Sequence, residues 1–477
     1  MRIAVIGTGY VGLVSGACFA QAGYRVTCID TDRAKVAQLT KGRVPIFEPG
    51  LSEVIAEARH KGTLEFSSNT KAAAASADII FIAVGTPRRE SDGHADLSDI
   101  GEVVTAIAPV LRDGCLVVVK STVPVGTADR IQDTIQSRRP DLDFDVISNP
   151  EFLRAGCAVG DFKRPDRVVI GTESKRALGI LETIYMNLGI DSTRILATQR
   201  RSAELIKYAA NGFLATKIAF INELADLCEN VDARVREVAL GIGLDSRIGP
   251  QFLSAGPGFG GSCFPKDAKA LARTGEECGA RMSIIETVLA SNDRRKRSIF
   301  EKIRRASGED LRGKRIALLG LTFKAGTDDM RDAPSIALAQ TLIENGADVH
   351  AYDPVGMKRA APLLPPSVRY HVSALDAARG ADALVVTTEW EEFRHLDLLH
   401  LKRSMSRPLL VDLRNMFSEQ QVTDLGFVYC GIGTRSAWRG SAAISEGSRR
   451  TARRLSKVAR SGRQEGLVAA QSIAAAE

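Results

Sequence analysis

No CxxC pair and no histidine at zinc-finger spacing accompany the eight cysteines (18, 28, 115, 157, 228, 263, 278 and 430). A disulfide framework and a structural metal site are therefore both unexpected, and a reducing compartment fits. No eighteen apolar residues run together, which excludes a membrane-spanning helix of ordinary length. The opening MRIAVIGTGY lacks a basic segment followed by an apolar one, so the expectation is a cytoplasmic, unexported protein. Large apolar residues are scarce from Ser436 to Glu477, a tail that instead carries eight Arg or Lys against three Glu. That tail is read as disordered or loosely helical and mostly solvated. It accounts for most of the net charge of +7, leaving a body near neutrality and no specific nucleic-acid partner.

What remains is ordinary globular material. With 477 residues, 44% hydrophobic and 25% charged, the chain has room for two or three domains and a sizeable core. Its most unusual stretch is GPGFGGSCFPKD, Gly256 to Asp267, with one cysteine behind four glycines. Such glycines let backbone N–H groups approach a ligand without a Cβ in the way. Cys263 becomes nucleophilic as the thiolate, which a neighbouring cation or oriented N–H groups favour, and Lys266 is the cation nearest in sequence. A glycine-rich turn around a buried cysteine is the other reading.

At the N-terminus, Arg2–Ile6 reads as a buried strand, followed by GTGYVG, a helix to Gln21 and a second strand ending in Asp30. This is the dinucleotide-binding order, with Gly7, Gly9 and Gly12 for the tight turn and pyrophosphate approach. Asp30, eighteen residues after Gly12, would accept from the ribose hydroxyls and favour NAD over its 2′-phosphate, a preference that Lys35 tempers. The alternation continues through ADIIFIAVGTP and CLVVVKSTVPVGT, which place Thr86 and Thr122 beyond strand ends, on the cofactor side or as turn caps. FDVISNPEFLRAG sets Glu151 at the same rim as a candidate acid/base group.

From Arg201 to Val231 the pattern becomes one long helix, on which Lys207 and Asn211 are four apart and share a face. Lys207 either serves a ligand or snorkels to solvent. After Phe300 a second α/β unit starts, with strands in KRIALLG, DVHAYDP, ADALVVTTEW and RPLLVDLRNM but no GxGxxG. Lys324, Arg331 and Arg414 lie just past its strand ends, as phosphate partners or as plain surface charge.

Taken together, GTGYVGL, VKSTVPVGT, NPEFLR, AELIKYAANGFLATKIAFINE, GPGFGGSCFPKD and LTFKAGTDDMRDAPS resemble, in that order, the UDP-glucose/GDP-mannose dehydrogenase family, over roughly Met1 to Arg435. The resemblance implies an α/β fold of two Rossmann-like domains joined by a long central helix. Its boundaries would be 1–198 for NAD binding, 199–300 for a helical dimerisation region with the cysteine loop, 301–435 for UDP-sugar binding, and 436–477 for the tail.

The implied activity is a four-electron oxidation of UDP-glucose to UDP-glucuronate, reducing two NAD by way of a thiohemiacetal and a thioester on Cys263. None of the six histidines lies in these motifs, so a histidine base is not evident. By resemblance, Lys207 and Asn211 hold the oxygen that becomes anionic, Asp267 and Thr122 position a water, and Glu151 is the general acid/base. NAD would meet Val11, Asp30, Lys35, Thr86, Thr122, Lys266 and Arg331. The nucleotide sugar would meet Glu151, Phe152, Leu153 and Arg154, then Lys207 and Asn211. It would also meet Phe252, Leu253, Ser254, Ala255, Gly256 and Gly260, with Lys324 and Arg414 from the last domain. Arg247 would reach the sugar of a neighbouring subunit in a homodimer or higher homo-oligomer.

One position departs from the family, which usually reads NPEFLREG where this chain has Ala155. The loss of a carboxylate there leaves a catalytically impaired nucleotide-sugar binder as one alternative, beside oxidation of GDP-mannose or UDP-N-acetylmannosamine by the same chemistry.

Overall fold

The structure, a computed structural model, describes residues 1–89 and 94–434. The tail expected to be disordered lies outside the described residues. Eight strands form the first sheet: β1 (Arg2–Ile6), β2 (Arg25–Ile29), β3 (Leu64–Ser67), β4 (Ile79–Ile82), β5 (Cys115–Val119), β6 (Phe144–Ser148), β7 (Val168–Gly171) and β8 (Ile195–Thr198). Their order is β3-β2-β1-β4-β5-β6-β7-β8. Every pair is parallel except β6 with β7. β4, β5 and β7 are buried at every position, because apolar clusters cover both faces of the sheet. That is why they read as unbroken apolar runs rather than alternating ones.

β1 lies between β2 and β4, so chain direction across the sheet reverses beside its carboxyl end. Ligands of open α/β sheets bind in the crevice such a reversal leaves. The turn after β1 enters the helix Tyr10–Gln21, which is buried without a break from Gly12 to Ala20. Gly12 is required there, since a Cβ would fall on the Gly7 carbonyl.

A 32-residue helix, Arg200–Val231, then runs for about 48 Å at 1.5 Å per residue. Glu204 ties it to the first sheet by accepting from the N–H groups of Gly126 (2.6 Å) and Ala128 (2.8 Å). The helices Phe264–Glu277 and Ser283–Ala306 pack along it. The second sheet follows, all parallel, from β9 (Arg315–Leu319), β10 (Asp348–Tyr352), β11 (Arg369–Tyr370), β12 (Ala383–Val386), β13 (Leu409–Asp412) and β14 (Val428–Gly431). Its order, β11-β10-β9-β12-β13-β14, repeats the reversal seen around β1. Two Rossmann-like units joined by the long central helix are thus present. No helix among the described residues is long and apolar enough to cross a membrane.

Candidate active site

The glycine loop and the start of the helix Phe264–Glu277 close one side of a cavity of about 610 Å³. Cys263 caps that helix, half-buried, with Pro265 in the first turn where a missing N–H costs nothing. The loop is pinned by buried side chains. Asn292 accepts from the Phe259 N–H (2.8 Å) and donates to the Phe259 carbonyl (3.0 Å). Gly256 donates to Asn222 Oδ1 (2.8 Å) and accepts from Arg295 Nε (2.9 Å).

Two of the glycines also let another part of the chain come close. A Cβ on Gly260 would strike the Asp332 carbonyl, and Gly261, at φ +82°, lies against the Phe323 ring and donates to the Arg331 carbonyl (2.8 Å). Their small size lets a loop of the second sheet close over the cysteine loop, in addition to any room they leave for a ligand.

Lys207 is buried and does not snorkel; its Nζ lies 2.9 Å from Glu151 Oε1, and Glu151 is buried as well. Burial alone would raise the Glu151 carboxyl, but the Lys207 ammonium outweighs it and holds the group below the usual carboxylate range. Lys207 is correspondingly held above the usual amine value despite its burial. One turn further along the same face, Asn211 Nδ2 donates to Asp267 Oδ2 (2.6 Å). Asp267 Oδ1 is buried without a hydrogen bond, its nearest cation being Lys266 Nζ at 3.0 Å.

Lys266 therefore faces Asp267, and Thr86 Oγ1 at 3.4 Å, rather than the cysteine. Lys207 is the foremost cation whose charge acts on Cys263, with Lys324 and Arg331 also within its electrostatic reach. Burial nonetheless pushes the thiol above its ordinary value, against the lowering expected from the loop alone.

On the cofactor side, Asp30 Oδ2 accepts from Thr8 N (3.1 Å) and Lys35 Nζ (2.7 Å), while Oδ1 accepts from Asp32 N (3.0 Å). Burial opposes the charge, but the bonds from Lys35 and Thr8 prevail and hold the carboxyl down at about 2. Gly9 opens onto free space at the helix N-terminus, Val11 is packed on the core, and Thr86 Oγ1 donates to the Thr122 carbonyl (2.7 Å). A backbone cradle at a helix N-terminus beside an ionised strand-end acid suits a pyrophosphate and a ribose, so these residues fit a dinucleotide. Arg331 is paired with Asp329 (2.7 Å).

The cavity wall includes Glu151, Phe152, Leu153, Arg154, Ala155, Lys207, Asn211, Phe252, Ser254, Gly256, Gly260, Lys324 and Arg414. Leu253 and Ala255 are buried outside it. Arg247 is also outside, its side chain 86% exposed and paired with Asp245 (2.6 Å). Arg154 is paired with Asp161 (2.6 Å) and Arg414 with Glu389 (2.9 Å). Sequence reasoning passed over Lys120, Asn149, Arg167 and Tyr185, which also line the cavity. Arg167 stacks its guanidinium 3.7 Å above the Phe152 ring. Lys120 and Asn149 had a signal, lying inside the quoted VKSTVPVGT and NPEFLR runs, whereas Arg167 and Tyr185 had none.

Comparison with known proteins agrees along the chain. Residues 1–189 match the UDP-glucose/GDP-mannose dehydrogenase family, NAD binding domain; 201–294 match its central domain and 317–419 its UDP binding domain. A UDP-glucose 6-dehydrogenase of Rhizobium meliloti is 52% identical over 435 residues, covering 91% of this chain and 99% of that protein. One of Pseudomonas aeruginosa is 46% identical, with 91% and 97% covered. The solved structure of a UDP-glucose dehydrogenase from Pyrobaculum islandicum superposes with a TM-score of 0.83 at 37% identity, covering 91% of this chain and 98% of that one.

Proposed function

The chain belongs to the UDP-glucose/GDP-mannose dehydrogenase family, and from that premise we propose that it oxidises the C6 alcohol of UDP-glucose to the carboxylate of UDP-glucuronate. The observation that carries the reading is one cavity in which Cys263 stands beside the Lys207–Glu151 and Asn211–Asp267 pairs. The relatives that share 52% and 46% identity are UDP-glucose enzymes, which favours this sugar over GDP-mannose or UDP-N-acetylmannosamine.

NAD, which Gly7, Gly9, Val11, Gly12, Asp30, Lys35, Thr86, Thr122, Lys266 and Arg331 would hold, would supply the hydride acceptor for each of the two oxidations. The chain's own groups do the rest. As the first hydride leaves, the hydroxyl proton passes to a carboxylate, and Glu151, held ionised, is available for it. Cys263 sulfur then bonds to C6 of the aldehyde, losing its proton while Lys207 and Asn211 hold the oxygen that gains charge. Loss of a second hydride from that thiohemiacetal leaves a thioester. With the hydroxyl proton taken up by Glu151 and the thiol proton both passed on to solvent, Glu151 is ionised again and takes a proton from the water, placed by Asp267 and Thr122, that attacks C6. The C–S bond breaks and the carboxylate is released with the thiolate reprotonated. Ala155 removes a carboxylate from the wall but leaves Glu151 and Cys263, so turnover is lowered rather than lost.

The active unit is a homodimer formed along the central helix. Leu205, Phe213, Phe220, Leu227 and Val231 stand 44–67% exposed along it, an apolar stripe of the kind that covers itself by association. Arg247, clear of its own cavity and exposed, would exchange its pair with Asp245 for a partner's cavity.

The test is the number of NADH formed per UDP-glucose consumed, with Cys263→Ser in parallel. Two NADH per sugar, falling to one or none in the serine variant, is the expected result. Two NADH from Cys263→Ser at the normal rate would remove the thioester route.

A further inference from the structure

One buried cation in the cavity wall has no part in the scheme above. Lys120, at the end of β5, is 4% exposed, and its Nζ lies 3.0 Å from Asn149 Oδ1, 3.4 Å from the Asn149 carbonyl and 3.3 Å from the Tyr185 hydroxyl. Three neutral oxygens thus receive three N–H groups, and no carboxylate among the described residues lies within ion-pair distance. A buried ammonium kept on neutral partners is costly to fold and needs a reason. Asn149 is itself fixed, donating Nδ2 to the Val169 carbonyl (2.8 Å) and its N–H to the Val119 carbonyl (2.9 Å), and it starts the Asn149–Pro150–Glu151 turn.

We propose that Lys120 is a positioning residue for Glu151: it holds the Asn149–Glu151 turn in place and supplies the positive charge that keeps Glu151 ionised once Lys207 has turned to the substrate oxygen. The inference rests on the role given to Glu151 above. In the resting site Lys207 does this work, but an oxyanion on C6 competes for the same ammonium. A buried carboxylate without its cation would take up a proton and fail as a base.

Lys120, on another element, cannot be drawn away because its three protons are already held. Burial lowers its own pKa to about 8, with the Glu151 charge opposing and the Lys207 charge adding to that effect. The other charged or titratable groups acting on this corner are Cys263 and Arg167, both sensitive to the Glu151 charge, and Tyr185.

Single-turnover kinetics from pH 6 to 9 on wild type, Glu151→Gln, Lys120→Met and Lys120→Arg test the idea. In Lys120→Met the first NADH should form within about threefold of wild type, while thioester hydrolysis slows about 10- to 100-fold. The acid limb of hydrolysis should move up by about one pH unit, and Lys120→Arg should restore both. A hydrolysis rate and profile equal to wild type in Lys120→Met would overturn the proposal. So would a loss without movement of the acid limb and without rescue by arginine, since packing alone would explain it. If Lys120→Met does not fold, Tyr185→Phe, which keeps the charge but removes one holding oxygen, should move the limb the same way by less; no movement there also overturns it. Glu151→Gln separates the two levels. A stalled thioester in that variant beside an unaltered Lys120→Met sinks only the Lys120 role, whereas normal hydrolysis in Glu151→Gln sinks the reading beneath it.

Discussion

The two Rossmann-like halves each end their second strand in an aspartate, and the two aspartates do opposite work. Asp30 follows β2 at the edge of the cofactor crevice with its side chain 15% exposed. Its counterpart Asp353 follows β10 and is wholly buried. It accepts from the N–H groups of Leu321 (2.7 Å), Thr322 (3.2 Å), Val355 (2.9 Å) and Gly356 (2.6 Å), and Trp390 Nε1 covers it at 3.0 Å.

A strand-end acid reads a ribose only while some of its lone pairs face a ligand. In the second half both oxygens are spent on the fold, whereas Asp30 Oδ1 accepts only from Asp32 N and keeps a lone pair for a ligand. The turn after the first strand differs in the same sense. After β1 the chain enters its helix by Tyr10, whereas after β9 it runs from Gly320 to Ala333 before the helix Pro334–Glu344 begins. That longer loop brings Lys324 to the cavity wall and sets Thr327 Oγ1 3.1 Å from the Tyr10 hydroxyl of the first half. One scaffold thus gives a dinucleotide crevice and, when its turn is lengthened and its acid buried, a lid carrying cations.

Replacing each aspartate by alanine tests the contrast at its strongest. Asp353→Ala leaves several buried N–H donors without a partner and should lower unfolding free energy by roughly 4 kcal/mol or more in urea denaturation. Asp30→Ala should cost only about 1 kcal/mol, yet weaken NAD binding by roughly tenfold or more in calorimetric titration, because its loss falls on the ligand. Equal stability losses in the two variants would erase the distinction. The cation loop gives the next largest effect. If Lys324 meets the nucleotide-sugar phosphate as proposed, Lys324→Ala should raise KM for UDP-glucose by roughly tenfold, the loss of one charge-assisted contact, and leave KM for NAD within about twofold. A rise in KM for NAD of the same size would mean that the loop serves the cofactor instead.

How much of this could be read from the sequence depended on whether a feature was local. The strands β1, β2, β4, β5 and β6 are apolar runs with Gly, Thr or Asp at their ends, and both the dinucleotide turn and the 32-residue helix carried their own periodicity. β3 (LEFS), β8 (ILAT) and the two-residue β11 were not seen, because edge strands with exposed positions lose the apolar signal. β7 was missed although wholly buried, since its short VVIG run follows Asp166 and Arg167 and lacks the longer apolar run, IIFIAV, that marks β4.

In the site, Cys263, Lys207 and Glu151 stood out by type and place. What Lys207 meets did not, since Glu151 is 56 residues away and only the fold brings them together. The same holds for Lys266, whose nearness to Cys263 in sequence suggested a partner that the helix turns away. It holds too for the glycine loop, where the close approach comes from Asp332 and Phe323, far along the chain.

The smallest effect separates the aspartates by pH. Asp30 is held at about 2 against an unfolded value of about 3.9, so the unfolded chain binds the extra proton as the medium acidifies. The stabilisation from its bonds to Lys35 and Thr8 is therefore fully present above about pH 5 and is lost as pH falls through about 4 toward 2. Solvent reaches this side chain, which keeps the contribution to roughly 1 kcal/mol. Urea denaturation without NAD at pH 5, 4 and 3 should show the gap between wild type and Asp30→Asn narrowing with each step. Added salt should narrow it at pH 5 as well, because the Lys35 pair is open to screening. A gap independent of both pH and salt would mean that Asp30, like Asp353, is held by the fold and not kept charged for a ligand.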